Sequence, residues 1–418
     1  MPQEKKIIIQ VIAAAIVGII VGVAIGYNIA APAPGGVGKA LPKRIPIGGL
    51  FALTGPLSSY GNRHKIAVEM AIEDINKYVA KLGYDVEFYL VAEDTTVSPE
   101  EALKDMQTLA TQGVKVFVGP LASSEVEAIK SFADEKKLVV ISHSSTAPSL
   151  AISGDYIFRF VPTDAFQGKA LATLAWTLGL RKVAVLYRGN NWGEGLYLSF
   201  KENFEALGGE VKAVKYSPDA KELSAEIRRL SDIVKSFGAG SDVGVLLISY
   251  EDDGVAALVA AKEDETLTSV VWLGCDGTAK SKRIAEDVGD VAVRVGGLFS
   301  TIFSPTSSPK KEEFERRFRS RAGEDPDPYA YNIYDATWVL ALAIIEAGTY
   351  DGEAIQKVLP DVAARYFGVS GWTLLDENGD RAGGDYVIYK IVEAGGKYEW
   401  KAAGIYSFTT NSVQWFED

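Results

Sequence analysis

Two polar loops, Gly119–Glu125 and Ser142–Pro148, contain the residues of this chain that are best suited to binding chemistry. Each loop directly follows an apolar run typical of a buried β-strand, Val114–Val118 and Leu138–Ile141. In an open parallel sheet, ligands bind beyond the carboxyl ends of the strands. Hydroxyl groups and free backbone N–H groups at that edge favour an anion such as a carboxylate. The two loops therefore predict the capture of a small molecule.

Helix capping is an alternative explanation of the same loops. Ser124 with Glu127 three positions later has the pattern of a capping box. Thr146 before Ala147 and Pro148 has the pattern of a helix N-terminus. Capping and ligand binding remain compatible, because a capped helix still presents further N–H donors.

Catalytic chemistry has little support in the sequence. The chain has two histidines, His64 and His143, and it contains no nucleophile elbow, zinc-protease motif or phosphate-binding loop. His143 has serine neighbours, but adjacent side chains of an extended segment point in opposite directions. The one cysteine, Cys275, excludes an intrachain disulfide and a cysteine-based zinc site. We expect a protein that is not an enzyme, with no catalytic residues, no cofactor and no metal.

Composition predicts a globular protein that does not bind nucleic acid. The 418 residues are 47% hydrophobic and 23% charged, which allows two full hydrophobic cores. The formal net charge is −12, and no basic cluster is present to neutralise phosphates.

The amino terminus predicts a membrane anchor. Residues 7–31 contain no charged side chain and are long enough to span a bilayer. The run exceeds the apolar part of a cleavable signal, although a cleavage site in Ile29–Ala33 remains an alternative. We expect a cytoplasmic leader (1–6), a transmembrane helix (7–31), a flexible linker (32–43) and a globular part outside the cell membrane, anchored by a single pass. Lysines on both sides leave the orientation undecided by charge.

Gly18, Gly22 and Gly26 recur every four residues along the predicted transmembrane helix. Such a face permits close approach of two helices and hence self-association. Glycine is also generally frequent in membrane helices, so the spacing has a second explanation.

Strand and helix patterns alternate along the remaining chain in two successive series. This alternation predicts an α/β protein with two doubly wound parallel-sheet lobes. Near the carboxyl terminus, Trp372–Leu375 and Tyr386–Val392 are predicted to pair as strands around the Asn378–Gly379 turn signal.

Five short segments, spread in a fixed order over most of the chain, resemble those of a known family. From about Arg44 onward, the chain resembles the branched-chain amino acid (Leu/Ile/Val-type) substrate-binding proteins of ABC transporters. The matching segments are Leu53–Gly61, Val118–Pro120, Ser145–Pro148, Trp192–Gly195 and Gly274–Gly277.

The resemblance implies a type I periplasmic-binding fold, in which two lobes joined by three crossovers close on an amino acid. The first lobe would contain residues 44–162 and 300–368. The second lobe would contain residues 163–299 and 369–418.

The resemblance also implies a role for each of eight residues. Ser123 and Thr146 would hold the ligand carboxylate, while the Ser144 carbonyl and Thr146 would hold part of the ammonium group. Asp276 from the opposite lobe would pair with that ammonium. The pocket for the ligand side chain would be walled by Tyr60, Trp192, Tyr250 and Tyr329.

Two positions depart from the family pattern. Asp276 stands where some members have Glu, and Trp192 stands where the best-known members have Tyr. The first change shortens the acid, and the second adds bulk and removes a hydroxyl. Both leave the choice of ligand open, between a branched-chain residue and another small amino acid or amide.

The expected function is therefore delivery of an amino acid or amide to an ABC permease by a membrane-anchored binding protein. A surface-assembly protein with the same fold is an alternative, motivated by the anchor and its glycine face. A sensory ligand-binding domain is another alternative, and it would need a partner protein because residues 1–6 cannot form an output domain.

Overall fold

The computed structural model describes residues 41–417. The predicted leader, transmembrane helix, glycine face and nearly all of the linker lie outside the described residues. Within the described part, no helix is both long and apolar enough to cross a bilayer.

The first lobe is built on a sheet of five parallel strands. The strands are β1 (Arg44–Phe51), β2 (Glu87–Asp94), β3 (Val116–Val118), β4 (Val139–Ser142) and β5 (Ile157–Arg159). Their order is β2-β1-β3-β4-β5. Val118 of β3 lies opposite Ile141 of β4, so the two strands end level with each other. This register brings the two polar loops side by side.

The second lobe is built on a sheet of eight strands. They are β6 (Lys182–Arg188), β7 (Glu210–Tyr216), β8 (Val243–Ile248), β9 (Val271–Gly274), β10 (Phe299–Phe303), β11 (Tyr386–Ala394), β12 (Lys397–Ser407) and β13 (Ser412–Trp415). Strands β6 to β10 are parallel, and β11 to β13 extend the sheet with antiparallel pairs in the order β13-β12-β11-β10-β9-β8-β6-β7.

Helices cover the faces of both sheets. They are α1 (Ser58–Lys81), α2 (Pro99–Thr111), α3 (Ser123–Lys136), α4 (Asp164–Thr177), α5 (Asn191–Ala206), α6 (Ser224–Phe237), α7 (Glu251–Ala261), α8 (Glu265–Thr268), α9 (Lys282–Arg294), α10 (Pro309–Ala322), α11 (Pro328–Ala347) and α12 (Gly352–Arg365). Val68 of α1 and Ile333 of α11 are fully buried in one cluster with Ile47 and Val118 of the sheet. Each such side chain stabilises the fold by roughly 1.5–3 kcal/mol, which holds the strand ends in place.

Two of the predicted lobe boundaries differ from the sheets that are observed. Strand β10 pairs with β9 and β11, so the chain leaves the second sheet after Phe303 rather than before residue 300. Beyond residue 369, Ser370 still binds Asp335 of α11, and Asp380 forms a two-bonded ion pair with Arg159 at 2.5 Å. The chain therefore stays with the first lobe well past the boundary predicted at 369, because these buried polar partners lie there.

The predicted hairpin is also different. The turn forms, since the Gly379 amide donates to the Asp376 carbonyl at 3.1 Å. Residues 372–375 form only isolated bridges, however, and Tyr386–Ala394 pairs with β10 and β12 instead. The turn signal was local, whereas the choice of strand partner depended on distant segments.

Candidate functional site

Seven of the eight predicted site residues line one small cavity between the carboxyl ends of the two sheets. Its volume is about 30 Å³, and Leu57, Leu121, Ala122 and Gly277 complete its walls. The predicted residues that line it are Tyr60, Ser123, Ser144, Trp192, Tyr250, Asp276 and Tyr329. Thr146 is the eighth, and it lies behind the wall.

Ser123 is placed to donate to an anion. It is the first residue of α3, where backbone N–H groups and the helix dipole favour negative charge. Its hydroxyl oxygen accepts hydrogen bonds from the Ala147 amide at 3.2 Å and from the Ser145 hydroxyl at 3.0 Å. Because both bonds end on the oxygen, the hydroxyl proton of Ser123 remains free for a ligand carboxylate.

The start of α3 is held by a different residue from the one that the capping pattern indicated. Ala122 is the residue before the helix, and its amide donates to the buried carboxyl of Glu125 at 2.8 Å. Burial raises the pKa of Glu125 to about 7. Glu127 has no part in this contact, so Ser124 does not begin a capping box.

Thr146 has a hydroxyl that is already engaged. It donates to Oδ2 of Asp164 at 2.9 Å, and the Thr146 carbonyl accepts from the Asp164 amide at 2.8 Å. In this structure the hydroxyl proton is thus directed to Asp164 rather than to the cavity, and the role of Thr146 in holding a ligand carboxylate stays a prediction. The hydroxyl oxygen keeps lone pairs that could accept from an ammonium group.

Ser144 presents its backbone rather than its side chain. Its hydroxyl donates to the Leu121 carbonyl at 2.9 Å, which joins the two polar loops. The carbonyls of His143, Ser145 and Ala147 accept from Asn332 and Arg159. No hydrogen bond recorded within residues 41–417 ends on the Ser144 carbonyl. This oxygen is thus available as an acceptor.

Two buried carboxylates of the second lobe belong to this region: Asp276 lines the cavity, and Asp164 lies behind it, bonded to Thr146. Oδ2 of Asp276 accepts from the Tyr329 hydroxyl at 2.9 Å, while its Oδ1 has no hydrogen-bond partner in the described part of the chain. Asp164 likewise leaves Oδ1 without a partner. Burial raises the pKa of Asp276 to about 6. Burial, and then repulsion from Asp276, raises the pKa of Asp164 as well.

This arrangement has the chemistry of a cation site. Two carboxylates at close quarters cannot both ionise without a nearby positive charge. A ligand ammonium group would supply that charge and would also satisfy the two unpartnered oxygens.

An aromatic pair forms the other side of the cavity. The rings of Trp192 and Tyr250 stack with centroids 4.9 Å apart, and the Arg188 guanidinium lies 4.5 Å from the centre of the Tyr250 ring. A Cβ atom at Gly277 would come within 2.9 Å of the Trp192 ring and within 2.3 Å of the Ser249 carbonyl oxygen. Glycine is therefore the residue that lets the loop after β9 approach the indole.

The cleft is closed by hydrogen bonds between the lobes. The Tyr60 hydroxyl donates to the Ala279 carbonyl at 2.6 Å. Glu251 accepts from Ser59 of the first lobe at 2.7 Å and from Ser281 of the second lobe at 2.8 Å. Burial raises the pKa of Glu251, and these two hydroxyls oppose the rise.

Asp164 and Glu251 were missed by sequence reasoning. Asp164 follows β5, the next strand along the same sheet edge, so the argument that selected the first two loops could have been extended to it. Glu251 follows β8 in the same way, but only its contacts in the closed cleft distinguish it from an ordinary first-turn acid.

The two histidines lie together in the first lobe and outside the cavity lining. Nε2 of His143 is 2.8 Å from Nδ1 of His64, and Nε2 of His64 is 3.1 Å from Oδ1 of Asp327. Burial, together with the neighbouring His64, lowers the pKa of His143. His143 thus contacts a histidine rather than a serine hydroxyl. In the described part of the chain, no group of three or more His, Cys, Asp or Glu side chains is placed to hold a metal ion.

Fold and site together define a two-lobed ligand-binding protein with the type I periplasmic-binding fold. The chain belongs to the receptor family ligand binding region, whose family profile matches residues 63–394. It is 38% identical over 391 residues to an uncharacterized protein of Methanocaldococcus jannaschii, covering 89% of this chain and 91% of that protein.

Named relatives and solved structures agree with this fold. The leucine-, isoleucine-, valine-, threonine-, and alanine-binding protein of Pseudomonas aeruginosa is 25% identical over 345 residues, covering 81% of this chain and 87% of that protein. The crystal structure of a leucine-binding protein from Thermotoga maritima superposes with a TM-score of 0.72 at 24% identity, covering 88% of this chain and 99% of that chain.

Proposed function

We propose that this protein captures an amino acid between its lobes and delivers it to an ABC permease. One observation carries the proposal: Ser123 of the first lobe and Asp276 of the second lobe line the same cavity, and Asp164 lies behind it, bonded to Thr146. Ser123 at the start of α3 provides the donor, and Asp276 with Asp164 provides the acid.

A zwitterion satisfies both ends of this site. Its carboxylate would take the Ser123 hydroxyl proton and the N-terminal dipole of α3. Its ammonium group would take the Ser144 carbonyl, Asp276 and Asp164. Charge-assisted hydrogen bonds are the strong kind, particularly in a closed cleft that excludes water. A small carboxylate without an ammonium group would leave the two acids unmatched.

The ligand side chain would be small. The stacked Trp192 and Tyr250 rings form one wall of the cavity and limit its extension on that side. An alanine-sized or amide side chain fits this space better than an aromatic one. The branched-chain class stays within the proposal because lobe opening would enlarge the cavity.

Relatives favour transport over the surface-assembly and sensory alternatives. The Pseudomonas aeruginosa protein is named for binding leucine, isoleucine, valine, threonine and alanine. Lobe closure around a ligand would create the surface that a permease recognises.

A cell-surface location is part of the same proposal. The uncharged run at residues 7–31 supports a membrane anchor with the two lobes outside the cell. Gly18, Gly22 and Gly26 would permit self-association of that helix. Protease treatment of intact cells would degrade the lobes if they are outside and would spare them if they are inside.

Calorimetric titration of the full-length protein with a panel of amino acids, amides and small carboxylates tests the capture step. We expect saturable binding by at least one small amino acid and no binding by its decarboxylated amine. Absence of binding by every member of the panel would reject amino-acid capture.

A further inference from the structure

A second cavity of about 260 Å³ lies where the chain crosses between the lobes. We name it the hinge pocket. Its walls are formed by residues of the loop after β9, the segment after β10, α10 and β11. The polar residues used below are Lys280, Lys311, Glu315, Arg319, Asp325 and Tyr389.

One positive charge in the hinge pocket has no counter-charge bonded to it. Lys311 binds Glu315 at 2.6 Å, and Arg319 binds Asp325 at 2.7 Å, so these four charges form two neutral pairs. The Lys280 ammonium group makes no hydrogen bond or ion pair recorded within residues 41–417. Its recorded contact is with the Tyr389 ring, whose centroid lies 5.5 Å away.

The position of Lys280 partly removes its ammonium group from water. Burial lowers its pKa, although Asp325 opposes the effect. Lys280 is partly buried and lines the hinge pocket, so its ammonium group is only partly hydrated. An anion in the hinge pocket would supply the acceptor.

The backbone conformation of Lys280 also supports a functional site. Lys280 has a left-handed conformation with φ 65°, which costs a non-glycine residue about 1–2 kcal/mol. Contacts from the first lobe hold it there, because Tyr60 binds the Ala279 carbonyl and Arg63 donates to the Lys280 carbonyl at 3.5 Å. Strain of this kind persists at sites where the surrounding structure enforces it, and such sites are often functional.

We propose that the hinge pocket binds a small oxyanion, a phosphate or a carboxylate, through Lys280, and that this occupancy stabilises the closed lobes. Lys280 belongs to the second lobe, whereas Lys311 and Arg319 lie on α10 of the first lobe. An anion that contacts both lobes binds the closed form better than the open form. Binding therefore shifts the population toward closure and raises the affinity of the cleft for its own ligand.

Calorimetry of the full-length protein with inorganic phosphate, acetate or chloride, each at constant ionic strength, tests the proposal without any variant. We expect saturable binding of phosphate, acetate or both, and none of chloride. Phosphate binding alone would identify a phosphate site, and acetate binding alone would identify a carboxylate site. Failure of both oxyanions to bind more tightly than chloride would overturn the proposal.

Lys280→Gly is the sharpest variant, because glycine adopts a positive φ without strain and removes the ammonium group. We expect oxyanion affinity to fall at least about tenfold, as for the loss of a charge-assisted hydrogen bond. Lys282→Ala is the matched control, since Lys282 is exposed on α9 and lies outside the pocket. Lys280→Gln repeats the test with a side chain of similar length should the glycine variant fail to fold. Unchanged oxyanion affinity in a folded Lys280 variant would contradict the assignment.

Oxyanions that bound in the amino-acid cleft would give the same calorimetric signal. The Asp276→Asn variant distinguishes binding in the cleft from binding in the hinge pocket. We expect this variant to bind amino acids at least about tenfold more weakly but to keep oxyanion affinity within about threefold of the wild type, because Asp276 lies outside the hinge pocket. Loss of oxyanion binding in Asp276→Asn would place the anion in the cleft and overturn the proposal. Oxyanion binding without any amino-acid binding would instead reject the proposed function alone.

Discussion

The hydroxyl of Tyr329 donates to Oδ2 of Asp276 at 2.9 Å, and this bond joins the two lobes. Tyr329 begins α11 of the first lobe, whereas Asp276 follows β9 of the second. The bond fixes one carboxylate oxygen and leaves the other, Oδ1, for a ligand. The acid that would bind the ammonium group is thus oriented by the lobe that would bind the carboxylate.

Asp276→Asn tests the role of this acid. The variant keeps the shape of the side chain but loses the charge, so amino-acid affinity should fall by about 1.5–3 kcal/mol, the contribution of a hydrogen bond to a charged group. Titration calorimetry measures the change. Tyr329→Phe is the companion variant, and we expect a smaller loss because it removes a neutral donor only. If the Asp276→Asn variant kept the amino-acid affinity of the wild type, Asp276 would not be a ligand-binding residue.

Amino-acid binding should strengthen as the pH rises through about 6. In the ligand-free protein, burial raises the pKa of Asp276 to about 6, so the acid is protonated below that pH. A ligand ammonium group favours the ionised form, so binding from acidic solution should release a proton. Calorimetry in two buffers with different ionisation heats measures this release. Equal heats in both buffers at about pH 5 would contradict it.

The same shift predicts the direction of pH-dependent stability without ligand. Because the folded pKa of Asp276 exceeds its ordinary value of 3.8, its contribution to stability is fully present below that value and is lost as the pH rises through about 6. Asp164, whose pKa burial also raises, acts in the same direction. Denaturant unfolding of wild type and Asp276→Asn between these pH values should therefore show a smaller decrease in the variant.

Trp192→Tyr tests the limit on ligand size. Trp192 stacks on Tyr250 and touches the position of Gly277, so a smaller ring enlarges the cavity on that side. We expect the affinity for leucine to rise relative to that for alanine by about 1 kcal/mol, near the value of one buried methylene group. Competition titration with the two amino acids measures the ratio. An unchanged ratio of leucine to alanine affinity would show that residues other than Trp192 limit the size of the ligand side chain.

Tyr60→Phe tests the closing contact. The variant keeps the ring in the cavity wall but removes the 2.6 Å bond to the Ala279 carbonyl. Loss of this bond should weaken ligand binding by about 0.5–1.5 kcal/mol, with most of the change in the dissociation rate. Stopped-flow dissociation kinetics measure the rate. A slower association with unchanged dissociation would assign Tyr60 to ligand entry instead.

Local pattern was sufficient to locate the two polar loops. The loops after β3 and β4 could be found because strand ends of a parallel sheet meet at one edge, and Val118 indeed lies opposite Ile141. The family resemblance then implied eight site residues, of which seven line one cavity. Asp164 was missed although it follows β5 at the same edge.

The sequence by itself determined the α/β alternation and the positions of the polar loops, because these depend on short-range periodicity, while the candidate ligand contacts came from the resemblance to a family. Only the tertiary structure decided that the Thr146 hydroxyl binds Asp164, that β11 pairs with β10 and β12, and that Lys280 has no bonded counter-charge among residues 41–417. Hydrogen-bond partners, strand partners and burial depend on distances between residues far apart in the chain, and no local pattern specifies those distances.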